Sequence, residues 1–300
     1  MLSDFGVKVR QLRESKGIAR EEFCGDETEL SVRQLARIEA GKSVPTLNKV
    51  LYISQTLGVS VGELADNNFY DLPSRYKELK NMLLRIPTYG DNERIKKRES
   101  YIDEILLKFY DSLPEEEKLI VDCLQSKFDV HFSANVNFGE EILNDYFDQV
   151  QRKKVYQIND LLLIELYLTC FASSESYEGI YTIERYDSLL SCLLSQKKLS
   201  TEVYFTLNNI LLSHVDVAFK LEKKNFIERI ITKSNEIMTD IHDFQKRPIL
   251  SLVEWKYFIY FEKNWSKAEA ACQQAILFAD LIGDSYLQEK LKEEWKNDST

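Results

Sequence analysis

The chain has 300 residues, 44% of them apolar and 12% aromatic, with a formal net charge of −10. That length and apolar content are enough for two folded domains and exclude a disordered chain, while the acidic balance excludes a uniformly basic nucleic-acid coat. Cys24, Cys123, Cys170, Cys192 and Cys272 form no CxxC pair, no charged-then-apolar leader opens the chain, and no apolar run reaches the roughly 18 residues of a membrane span, so a cytoplasmic protein with reduced core thiols is expected.

In chain order, Phe5, Val9 and Leu12 mark a first helix ending near Gly17, and Arg20 to Cys24 a short second one. Ser31 is placed to cap a third, with Val32, Leu35, Ile38 and Glu39 on one face and Arg33, Gln34 and Arg37 on the other. Gly41 and Pro45 end it. Leu47, Val50, Leu51, Ile53 and Leu57 then restart a helical stripe up to Gly58, and Val61 to Leu64 adds a last short turn.

Two helices joined by a tight turn, the second opening on Arg and Gln, can bring base-reading side chains to a major groove, where Arg pairs with guanine and Gln with adenine. The DNA-contacting set read from this stretch is Ser31, Arg33, Gln34 and Arg37, with Lys42, Ser43, Asn48 and Lys49 near the next helix start as phosphate holders; an ordinary solvated face is the alternative for each. Residues 1–66 hold nine Lys or Arg against ten Asp or Glu. Positive charge must therefore be focused on one face, and tight binding to double-stranded promoter DNA calls for two copies on a symmetric site.

A linker is expected at 67–74, where the periodicity breaks around Pro73, followed by a second domain over 75–300. Its helices are expected at 75–86, 92–112, 115–133, 139–153, 158–173, 177–196, 200–219, 223–242, 247–261, 265–282 and 284–296, with short connections and no strand alternation. Stacked pairs of this kind suggest a degenerate tetratricopeptide-like solenoid, with a generic bundle as the alternative. In the best pair, Trp255, Tyr257, Ala268, Ala271, Ala275 and Phe278 alternate large and small side chains. The last helix reads as a capping element, and its seam of Leu287, Leu291 and Trp295 can pack on its own solenoid or on a second chain as the dimerisation surface.

Residues 5–65 resemble the helix-turn-helix domain of Cro-type phage repressors through RQLARIEAGKSVPTL. The whole chain resembles the Rgg-type regulators of streptococci, closest to the competence-regulator branch called ComR, through VRQLARIEAGKS, PTYGDNERIK and LPEEE. That resemblance implies an all-α protein: a reading head followed by a helical domain that binds a short, imported, hydrophobic signalling peptide. It implies an activator of competence genes that is released by the peptide, forms a homodimer on a palindromic promoter site and could also engage RNA polymerase.

Within PTYGDNERIKKR, the resemblance singles out Arg98, with Thr88 and Tyr89, to receive the peptide's carboxylate; a solvated face is the alternative for this charge run. Asn208 and Asn209 interrupt an apolar helix and need partners, either internal or on a peptide backbone. Glu115, Glu116 and Glu117 follow Pro114 at a helix start, where the helix dipole alone accounts for acids; the sharper expectation is an autoinhibitory pairing with Arg33 or its neighbours. His131, His214 and His242 have no metal-ligand spacing, and neither a nucleophile with its base nor a phosphate-cradling loop is visible, so no enzyme, metal or cofactor is expected. Two rival readings are a constitutive, peptide-independent dimeric repressor and a solenoid adaptor that sequesters a protein partner.

Overall fold

The structure is a computed structural model that describes residues 2–64, 72–174 and 176–299, and among these the regular elements are all helical. Of the linker expected at 67–74, residues 67–71 lie outside the described residues. Residues 1–87, 93–154 and 162–166 make up one compact unit, and residues 88–92, 155–161 and 167–300 another. The first unit takes in more than the expected reading domain, because the helices just beyond it pack in the same body.

The first unit opens with five helices: α1 (Leu2–Ser15), α2 (Arg20–Cys24), α3 (Val32–Glu39), α4 (Leu47–Leu57) and α5 (Val61–Leu64). Ser31 and Gln34 close a capping box at the start of α3, each side chain taking the other's backbone N–H, at 3.2 and 3.1 Å. Gly58, with φ +63, ends α4 in the left-handed conformation that costs a glycine little. Val9, Phe23, Leu30, Leu35, Ile38, Ile53 and Leu57 fill the core between these helices, each burial stabilising by about 1.5–3 kcal/mol. A Cβ on Gly6 would come 2.1 Å from the Ile38 carbonyl oxygen, so α1 and α3 meet backbone to backbone.

One ion cluster locks this head. Arg13 donates to both oxygens of Glu39, at 2.6 and 3.1 Å, and Arg20 adds a third bond at 2.8 Å. Burial would push the Glu39 carboxyl up, but these hydrogen bonds outweigh it and hold the group below the usual carboxylate range.

The rest of the first unit is built from α6 (Ser74–Arg85), α7 (Asn92–Lys108), α8 (Glu115–Ser133) and α9 (Asn137–Arg152), with residues 162–166 of α10 (Ile158–Ser173). α8 starts where Pro114 fixes the entry and three glutamates meet the helix dipole. Leu119, Ile120, Cys123 and Leu124 of α8 and Leu143, Phe147 and Val150 of α9 recur at helical spacing and are buried.

The second unit continues through α11 (Ile183–Ser195), α12 (Thr201–Ser213), α13 (Val215–Lys220), α14 (Lys224–Asp240), α15 (Arg247–Tyr257), a π-helical turn over Phe258–Glu262, α16 (Trp265–Leu281) and α17 (Ser285–Asp298). Two expected helices are shorter than their periodicity suggested. Residues 177–182 are not helical, since Gly179 takes φ +63, Phe171 stacks on Tyr177, and Thr182 caps α11 only afterwards. The helix expected at 200–219 breaks at His214 into α12 and α13. Ala268, Ala271, Ala275 and Ala279 form a small-residue stripe on α16 that packs with Trp255. The Trp255 indole N–H donates to Asp298 at 2.8 Å, and its ring meets Trp295 edge-on.

Candidate functional site

The capping box decides which way α3 presents its side chains. Gln34 spends its carbonyl oxygen on the Ser31 N–H and on the Lys49 ammonium, the latter at 2.7 Å, and is buried. Gln34 is therefore a capping residue rather than the outward base reader its position on the wheel suggested, and Ser31 is its partner in that role. Lys49 is likewise buried. Arg33 and Arg37, one turn apart, remain exposed on the outer face of α3, with side chains 56% and 41% accessible. Lys42 and Asn48 are exposed and Ser43 is half-buried in the turn and helix start that follow.

Carboxylates of α8 and α9 face this cationic surface. Arg33 pairs with Asp145 of α9. Arg37 Nε lies 3.4 Å from Glu115 Oε2, and the other oxygen of Glu115 accepts from Tyr146 at 3.0 Å. Glu116 Oε1 lies 3.3 Å from the Lys49 ammonium, whose affinity for its proton is lowered by burial and supported by that glutamate. Backbone groups join in: Glu115 N–H donates to the Val44 carbonyl at 3.3 Å, and Gln149 reaches the Thr28 carbonyl at 3.1 Å. Arg152 pairs with Glu27 at 3.3 Å.

The acidic triplet thus divides its work differently from the sequence expectation. Glu115 and Glu116 face Arg37 and Lys49. Glu117 turns inward, because Lys80 and Tyr76 of α6 hold its carboxylate at 2.8 and 2.7 Å. Arg33 finds its acid on α9, at a residue outside the triplet. Sequence reasoning missed Asp145, Gln149 and Arg152, which carry no local signal; the SxxQ spacing of Ser31 and Gln34 was visible and marks a cap.

The expected peptide residues fall in both units. In the first, Arg98 on α7 is half-buried and donates to the Leu83 carbonyl at 2.8 Å. In the second, Tyr89 takes φ +49 and lies under the Lys246 ammonium, 5.2 Å from its ring, while Thr88 accepts from Asp91 in the same turn. Asn208 is buried on α12, and its side-chain oxygen has no hydrogen-bond partner among the described residues. Asn209 beside it is half-buried. The dimer seam is already used: Leu287 and Leu291 are buried in the second unit's own core and Trp295 packs against it, so of the two expected packings the internal one is seen.

Among the described residues, no group of His, Cys, Asp or Glu is arranged to hold a metal, and no helix is long and apolar enough to cross a membrane. The cysteines are free thiols. The helix-turn-helix family matches residues 9–64, and the ComR tetratricopeptide family matches residues 73–295. No curated protein matches. Among solved structures, ComR from Streptococcus suis is similar at 39% identity, over 100% of this chain and 96% of that one, with a TM-score of 0.84. The apo form of ComR from Streptococcus vestibularis is similar at 33% identity, over 99% and 98%, with a TM-score of 0.82. ComR from S. thermophilus, solved with DNA and its signalling peptide ComS, is similar at 30% identity, over 99% and 100%, with a TM-score of 0.71.

Proposed function

The chain belongs to the ComR family of competence regulators, and from that premise we propose that it is a cytoplasmic transcription regulator whose reading head is released by a short peptide. A relative at 30% identity has been solved with DNA and a signalling peptide. The observation that carries the reading is that both outward arginines of α3 face carboxylates of the neighbouring helices, Arg33 with Asp145 and Arg37 with Glu115. A guanidinium facing a carboxylate must give up that partner, or share its charge with it, to pair with a guanine edge. The resting state therefore competes with DNA for the same cations.

A peptide shifts this balance only through a difference in its affinity for the closed and open states. If the closed state is favoured 99 to 1, nearly complete switching needs a difference of about 5.5 kcal/mol. Arg98 is our candidate in the first unit to receive a peptide carboxylate, and Asn208 and Asn209 are the candidates in the second to meet a peptide backbone. The released head, as a homodimer on a palindromic site, activates competence genes. Since Leu287 and Leu291 are internal, a second copy must meet another face or displace α17.

The test is a fluorescence-anisotropy titration of labelled promoter DNA, with and without synthetic short hydrophobic peptides encoded near the gene. Binding that strengthens with one of these peptides is expected. Equal, tight, cooperative binding with and without every peptide overturns the proposal in favour of a constitutive regulator.

A further inference from the structure

The start of α3 is closed by a carboxylate of its own domain. A helix opens with backbone N–H groups that have no partner within it, and together with the helix dipole these make a ready place for phosphate. In α3 the Ser31 and Gln34 N–H groups go to the capping box, at 3.1 and 3.2 Å. The Val32 N–H donates to Glu27 Oε2 at 3.1 Å. All three are thus taken by side chains of the head itself, and one of those side chains is an acid.

Glu27 holds this position against a local cost. It takes φ +59, and among the described residues of the head it is the one residue other than glycine in the left-handed region. Ser, Thr and Asn cap helices without a charge, so capping alone does not call for a carboxylate. A carboxylate on a DNA-binding surface opposes the phosphate contacts that supply non-specific affinity. In this structure Arg152 of α9 meets that charge, its Nη1 lying 3.3 Å from Glu27 Oε1. Arg152 belongs to the cover and not to the head, so a released head carries the acid without that partner.

We propose that Glu27 is a specificity-determining residue for DNA: it denies the N-terminus of α3 to phosphate, so that the head holds a duplex well only where base contacts fix α3 in the groove. The inference rests on the reading of α3 as the helix that meets DNA. Phosphate contacts carry no sequence information, and base contacts do. On an unrelated duplex the head has phosphate alone to hold it, and an acid at the leading end of α3 weakens each such pose. On the promoter, Arg33 and Arg37 hold the helix to base edges, and the same acid costs less.

The test is fluorescence anisotropy with the full chain and a saturating synthetic hydrophobic peptide encoded near the gene, on labelled promoter DNA and on a scrambled duplex of equal length and composition. Glu27→Gly suits the backbone conformation and frees the Val32 N–H. It should tighten binding to the scrambled duplex about tenfold, the worth of one charge-assisted hydrogen bond to a phosphate, and binding to the promoter by clearly less. Glu27→Gln keeps an acceptor for Val32 and removes only the charge. It should shift the two duplexes in the same unequal way, by a smaller factor and at an unaltered unfolding midpoint. A capping role alone moves the midpoint and leaves discrimination between the duplexes as it was.

Glu27→Gln carries the test if Glu27→Gly lowers the midpoint. Equal changes on the two duplexes, or no change on the scrambled one, overturn the inference while leaving peptide regulation intact. If the unmodified chain prefers promoter to scrambled DNA with none of the peptides, the reading of α3 falls as well.

Discussion

The head contains two sets of arginine–carboxylate pairs, one turned inward and one outward, and they differ chiefly in their access to water. Inward, Arg13 and Arg20 converge on Glu39, whose side chain is 1% exposed, through bonds of 2.6 to 3.1 Å. Outward, Arg33 and Arg37 meet Asp145 and Glu115 singly, with about half of each arginine still in solvent. Removing one partner from a buried, fully bonded cluster costs about 3–5 kcal/mol, whereas an exposed pair is worth about 0.2–1 kcal/mol. The same chemistry therefore builds a strong joint on one side of α3 and a weak one on the other. Several weak pairs suit a switch better than one strong pair, because a ligand can outweigh them.

The largest effect is expected inside. Glu39→Ala strands two arginines and should cost the head about 3–5 kcal/mol, read as a lowered midpoint in thermal or urea unfolding. The same joint has a pH signature. A carboxyl held below its usual value contributes stability that is fully present above the unfolded-state value, about 4.3, and is lost as pH falls through the folded one. The head should therefore weaken below about pH 4, and Glu39→Gln should flatten that part of the curve; an unaltered acid limb would place the titration elsewhere.

On the outer face, Arg33→Ala should cost about 1–3 kcal/mol in peptide-activated promoter binding, measured by anisotropy, without shifting the unfolding midpoint. Loss of stability instead would mean that the outward set is also structural. Smallest of all, Asp145→Asn or Glu115→Gln should each raise peptide-free DNA binding by up to about fivefold, the worth of one exposed pair. Because they act on different arginines, their effects should add in the double variant. Basal binding that does not move in the double variant would remove the comparison's functional half.

The head's helices were legible because their signals are local: Ser31 before an apolar stripe, Gly58 after one, and Pro45 between two. The cover on it was half legible. Three acids after Pro114 mark a helix start whatever they face, and only packing reveals that Glu115 and Glu116 point at α3 and α4 while Glu117 serves Lys80 and Tyr76. Asp145 lies 112 residues from Arg33 in an ordinary amphipathic helix, and no spacing rule connects them. Gln34 failed for another reason. A helical wheel put it outside, but a cap bends its side chain back over the helix start, and the wheel knows nothing of caps. The seam on α17 showed its apolar character in the sequence but not its occupant, since Leu287, Leu291 and Trp295 suit Trp255 of the same chain as well as they would suit a copy.

Lys49 is held at once by Gln34 within the head and by Glu116 of α8. Were α8 to withdraw, the amide would keep the ammonium in place and leave it aimed at whatever anion arrives next, a phosphodiester included. Under the proposed function, promoter and α8 would be rival occupants of a single prearranged cation, and thermodynamic reciprocity would follow: whatever factor a signalling peptide added to affinity for the operator, the operator would add to affinity for the peptide.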